Sequence, residues 1–186
     1  PYLDRPELGD GKWSSTLEGS RSAAGAAATW LTAETLGFGA DGLGALMATT
    51  VETRQAFEAA VRDAVPEARF LPADSNITCF SLARPGEALS HSNARTQAVF
   101  DYFQRSPHFA VSKTTLGADN AALIANLLGG HGGYNDRSEG DAGMLVIRCV
   151  FMNPYWSDPS VRHDLLPRFI EELRQALADP DEAKAA

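Results

Sequence analysis

Gly143-Met144-Leu145-Val146-Ile147-Arg148-Cys149-Val150-Phe151-Met152-Asn153-Pro154 is the stretch whose reading decides the fold. Seven of the eight residues from Met144 to Phe151 are apolar, Cys149 included, and the eighth is Arg148. Gly143 opens the run and Asn153-Pro154 closes it as a turn, so it reads as a buried strand carrying one cation. A guanidinium in a core strand is costly without a planar anion beside it. Two anions suit: an internal Asp or Glu, or the carboxylate of a bound substrate. Structural pairing is the more usual fate of a buried charge.

Working outward, Ser75-Asn76-Ile77-Thr78-Cys79-Phe80-Ser81-Leu82 is a second strand, rich in β-formers, with Ala68-Arg69-Phe70 before it. His108 to Leu116 reads as a further strand. Helices lie between and around these. Asp41-Gly42 opens one that runs to about Val65, where Pro66 ends it. Leu43, Leu46, Met47, Val51, Phe57 and Val61 give it an apolar spacing, with Glu52, Arg54, Glu58 and Arg62 on the wet side. Ser90 is placed to cap a helix over His91 to Arg105, with Ala94, Ala98, Val99, Tyr102 and Phe103 facing in. Asn120 to Leu128 is a short helix. Asp158 as N-cap and Pro159 as first residue start the last helix, to about Ala178, with Leu166, Phe169, Ile170, Leu173 and Leu177 as its stripe. Pro167 predicts a kink or break there.

Before these, residues 1–19 read as loop, and the Ala-rich run from Ala23 to Leu36 reads as helix, with Ser20 or Ser22 as N-cap and Gly37 just past its end. Its small side chains permit close approach of another backbone. Its N-terminus, beside Ser20 and Arg21, has the chemistry of a phosphate site, although these residues alone favour a plain capped helix. The order predicts an α+β domain from about residue 66 to 186, helices covering a small, mainly antiparallel sheet, after a segment 1–65 that ends another domain.

Composition restricts the function classes. The chain is 44% hydrophobic and 22% charged with formal net charge −8, which gives no nucleic-acid footprint. No apolar run has membrane-spanning length. Cys79 and Cys149 sit in strand-like runs, which suits buried free thiols and a cytoplasmic setting rather than a disulfide or zinc site. Gly129-Gly130-His131-Gly132-Gly133 lacks the Lys-Ser/Thr end of a phosphate loop.

Three ordered stretches resemble the C-terminal part of the pyridoxal-phosphate-dependent group II amino acid decarboxylases, the glutamate, tyrosine and aromatic-L-amino-acid decarboxylase family. They are Thr16-Leu17-Glu18-Gly19-Ser20-Arg21-Ser22 with its Ala-rich helix, Ser75 to Phe80, and Ile147 to Pro154 with the helix bearing Phe169-Ile170-Glu171-Glu172-Leu173. The resemblance implies an α/β fold-type I scaffold, with 1–65 ending the large cofactor-binding domain and 66–186 forming the small domain. It implies pyridoxal 5′-phosphate as cofactor, an amino acid as substrate and a homodimer. Arg148 would bind the substrate α-carboxylate, Gly19 and Ser20 would approach the cofactor phosphate, and Tyr2 would match the proton-donating tyrosine of the mobile loop.

Two departures stand out. The family's Schiff-base lysine has no counterpart in Lys12, Lys113 or Lys184, so it would lie on an N-terminal portion, and a start at Pro1 fits a processed or nicked enzyme. The stretch from about Ala118 to Ala142 is longer than the family's connection. Other fold-type I lyases, such as a carbon–carbon lyase or a desulfinase, share the scaffold. A non-catalytic assembly or binding domain is the alternative of another class.

Overall fold

The computed structural model describes residues 23–129 and 143–178. Two compact units are present, Pro1–Gly44 and Ala45–Ala186. In the first, helix α1 spans Ala24–Leu36. Its N-cap is Ala23, with no side-chain cap bond; Ser20 and Ser22, expected in that role, lie outside the described residues. Gly37 ends the helix at φ 73°, as expected of a residue just past a helix, and its N–H donates to the Ala33 carbonyl.

The second unit is an α/β arrangement built on a four-stranded antiparallel sheet. Its strands are β1 (Ala68–Phe70), β2 (Ile77–Leu82), β3 (Ser112–Leu116) and β4 (Met144–Val150), in the order β1-β2-β4-β3. The opening stretch is therefore a central strand, hydrogen-bonded on both sides. Strand β3 is shorter than the His108–Leu116 expected, because only Ser112 onward pairs with β4.

The helices are α2 (Leu43–Ala64), α3 (Leu89–Arg105), α4 (Ala121–Leu127) and α5 (Pro159–Ala178). Helix α2 contributes Phe57 and Val61 to the sheet's core, so the compact units divide at its start and not at residue 65. Helix α3 begins at Leu89 with Ala88 as N-cap, earlier than a Ser90 cap would place it. Its buried stripe is Ser92, Thr96, Val99 and Phe103, whereas Ala94 is exposed. The two hydroxyls are used: Thr96 Oγ1 accepts from the Leu82 N–H at 3.1 Å, and Ser92 Oγ donates to the Leu82 carbonyl at 3.4 Å. Helix α5 continues unbroken through Pro167. Asp158 caps it, its Oδ1 accepting from the Ser160 N–H at 2.8 Å.

Cross-strand register sorts the sheet into two faces, since directly paired residues project to the same side. One face carries Phe70, Phe80, Leu82, Ile147 and Cys149 and packs on Phe57, Val99, Phe103, Phe169 and Leu173. Phe103 and Phe169 stack there at 4.9 Å between centroids, and Phe57 lies 5.0 Å from both Phe151 and Phe169. The other face carries Cys79, Met144, Val146 and Leu116, covered by Ile124, Leu127 and Leu128. Among the described residues, no helix is long and apolar enough to cross a membrane.

Candidate functional site

Arg148 lies on this second face, beyond the end that α4 covers. Cα register aligns Cys79, Arg148 and Ser112 in one row across three strands, with Ile77 and Val150 forming the next row outward. Met144 and Val146 are fully buried, yet two residues further along the same side of the strand Arg148 is exposed, and so is Val150. This corrects the sequence expectation of a guanidinium set into the core. Strand β4 is central throughout, but among the described residues its second face is roofed at one end only.

Among the described residues, Arg148 makes no ion pair, so the internal carboxylate that a buried cation would need is not found. Its backbone carbonyl accepts from Ser112 Oγ at 3.1 Å. Partial burial pushes the Cys79 thiol up from its ordinary value, and the neighbouring Arg148 guanidinium pulls it part of the way back. The thiol therefore stays neutral, while the planar cation has its fork of donors uncommitted to any described carboxylate. Such a group can take a carboxylate or another planar anion in bidentate fashion.

The buried cation does exist, on α2. Arg54 and Glu58 are each 5% exposed. Arg54 Nη1 donates to Glu58 Oε1 at 3.0 Å, and Arg54 Nε donates to the Ser75 carbonyl at 3.0 Å. The hydroxyl of fully buried Thr78 donates to the same Oε1 at 2.7 Å, and Arg62 approaches Oε2 at 3.3 Å. Both charges were expected on the wet side of the helix. They fall instead on its buried stripe of Thr50, Thr53, Arg54, Phe57, Glu58 and Val61, while Leu46 and Met47 are exposed. The spacing of Arg54 and Glu58 from Phe57 and Val61 carried that signal.

Other expected site residues lie elsewhere. Tyr2, Gly19 and Ser20 are outside the described residues, as are Lys12 and Lys184. Lys113 is described: its Nζ donates to Gln97 Oε1 at 2.7 Å and sits 4.6 Å from the Phe100 ring centroid. Its Cα partner is Ile147, which places it on the face opposite Arg148. The described part of the long stretch, Ala118 to Gly129, forms a short 3-10 turn and α4 and so roofs the sheet. Where the chain returns, Asn93 donates to the Gly143 carbonyl at 3.0 Å and accepts from the Leu145 N–H at 2.8 Å. Sequence reasoning gave Asn93 no role. Among the described residues, no group of three or more His, Cys, Asp or Glu is placed to hold a metal ion.

Compared with known proteins, the sequence matches no family model and no curated protein.

Proposed function

We propose that this chain is the C-terminal portion of a pyridoxal-phosphate-dependent L-amino acid decarboxylase, built on the fold-type I scaffold, in which Arg148 anchors the α-carboxylate of the substrate. The observation that carries the reading is the exposed Arg148, unpaired with any described carboxylate, at the centre of the row Cys79–Arg148–Ser112. A cation so placed on an open sheet face is suited to an anion brought from outside the sheet. The ordered motifs supply the rest of the argument.

The described residues do not fit the cofactor itself. Pyridoxal phosphate is held through a lysine, and Lys113 is committed to Gln97 and the Phe100 ring on the wrong face. In this proposal the lysine lies on the N-terminal portion, Tyr2, Gly19 and Ser20 complete the site, and the assembly is a cytoplasmic homodimer. The part assigned to the described residues is to bind and orient the carboxylate, which fixes the angle of the bond to be cleaved.

The test is Arg148→Lys in the enzyme assembled with its N-terminal portion, screened across amino acids for CO₂ release. Loss of the bidentate fork raises KM by about 10-fold or more, with cofactor absorbance unchanged. Near-normal kinetics overturn the anchor. Absence of CO₂ release from any amino acid overturns the decarboxylase.

A second reading, a non-catalytic assembly module, is favoured by α1, where no residue is buried and Trp30, Leu31 and Leu36 are 64%, 60% and 49% exposed. Failure of the assembled protein to take up pyridoxal phosphate would decide for it.

A further inference from the structure

At the open end of β3 and β4, a cavity of about 120 Å³ is walled by Phe57, Phe109, Val111, Cys149, Phe151 and Phe169. Five of these walls belong to the packed core: Phe57, Phe109, Val111, Phe151 and Phe169 are 3%, 8%, 9%, 6% and 4% exposed. The phenylalanine rings hold one another in tilted and edge-on contacts, with Trp156 edge-on to Phe151 at 6.0 Å. The walls are thus formed in advance of any ligand. At the rim stand Val150 and Met152, the latter 75% exposed.

Among the described residues, no Asp, Glu, Lys, Arg or His lines this space. The one titratable wall group among the described residues is Cys149, and burial pushes its thiol up to about 12, so it is neutral. A charged ligand would find no partner for its charge. An apolar cavity of about 150 Å³ lined by similar side chains stays dry and takes benzene.

We infer that this cavity is a binding site for a single uncharged aromatic ring, of a size between benzene and phenol. The walls supply edge and face contacts to such a ring, and the walled volume of about 120 Å³ is sized for one ring. The inference does not depend on the decarboxylase reading, because Cys149 and Phe151 belong to the face opposite Arg148.

The test uses the full chain with benzene, phenol, naphthalene and benzoate as probes, read by NMR shifts of the Met152 and Val111 methyls and by the thermal midpoint. Cys149 alkylation by a small uncharged thiosulfonate, mapped by mass spectrometry, gives a third readout. Benzene and phenol are expected to shift both methyls saturably, raise the midpoint and slow Cys149 labelling at least about threefold. Cys149→Leu, which fills the space, is expected to weaken benzene binding at least about tenfold. Val111→Leu provides the same test should Cys149→Leu fail to fold. The inference is overturned if benzene leaves the methyls unmoved, if benzoate or naphthalene binds as well as benzene, or if the folded filled variant keeps its affinity. It is also overturned if the Met152 methyl is already ring-current shifted without ligand, since the chain's own side chain then occupies the cavity.

Discussion

Glu58→Gln tests how this core is assembled. The substitution keeps the side chain's size and one acceptor oxygen, removes the charge and turns the other oxygen into an N–H donor. Arg54, 5% exposed, is then left with an amide and the Ser75 carbonyl as its partners. Breaking a buried pair by removing one charge costs about 3–5 kcal/mol, because the survivor is buried and uncompensated. The retained amide oxygen still accepts from Arg54 or Thr78, and one such hydrogen bond offsets about 1 kcal/mol. The expected loss is therefore about 2–4 kcal/mol. In a chain of this size each 1 kcal/mol moves the thermal midpoint by about 2–4 °C, so a fall of roughly 4–16 °C should appear. Urea unfolding with an unchanged m-value would show that the native state alone is affected. The companion is Arg54→Met with Glu58→Leu and Thr78→Val, which removes both charges and the hydroxyl that would otherwise be orphaned. It should recover most of the loss, since apolar replacement of a whole buried pair is commonly neutral or stabilising. A loss below about 1 kcal/mol in Glu58→Gln, or a companion as unstable as the single variant, would refute the picture of a desolvated unit.

Gly143→Ala would set a Cβ 1.8 Å from the Leu116 carbonyl oxygen; backbone cannot yield there without opening the β3–β4 pairing. A loss of about 3 kcal/mol is expected, with faster amide exchange at Met144. Burial pushes the Glu87 carboxyl up, but the fork of Arg95, at 2.7 and 2.8 Å, and the Arg84 N–H hold it below its ordinary 4.5. Its stabilising effect is thus present above pH 4.5 and lost as pH falls through the lower folded value; Glu87→Gln should flatten that acid limb in a melting series. Cys149 works at the other end, its pKa rising from 9.0 to about 12 on folding. The unfolded chain ionises first, so stability declines as pH rises above 9.0. Cys149→Ala should lessen that alkaline slope, and an identical slope in both proteins would refute the burial of the sulfur.

Much of the fold could be read because apolar pattern and punctuation agreed. Strands β2 and β4, the short α4, the Asp158 cap and Gly37 all carry local signals that tertiary contacts leave in place. Reading failed where a polar residue serves the core. Ser92 and Thr96 are buried because their hydroxyls bond the end of β2, so α3 turns them inward instead of Ala94. Arg54 and Glu58 are buried because each satisfies the other. Polarity alone sends such residues outward, and only their period with Phe57 and Val61 says otherwise.

The same reasoning bears on Arg148. Composition alone made it the buried cation, because its sequence neighbours are apolar. A strand's second face, however, is buried only as far along as something covers it, and here α4 roofs Met144 and Val146 and reaches no further. The apolar residues beside Arg148 in sequence, Ile147 and Cys149, point to the other face, so they say nothing of its surroundings. Its neighbours in space are Cys79 and Ser112, supplied by strands distant in the chain, and neither carries a compensating charge. An exposed arginine that pairs with no described carboxylate, at the end of a central strand that no described element covers, needs no desolvation to exist there. It has the geometry to receive an anion, and the proposed substrate carboxylate is the one that Arg148→Lys tests.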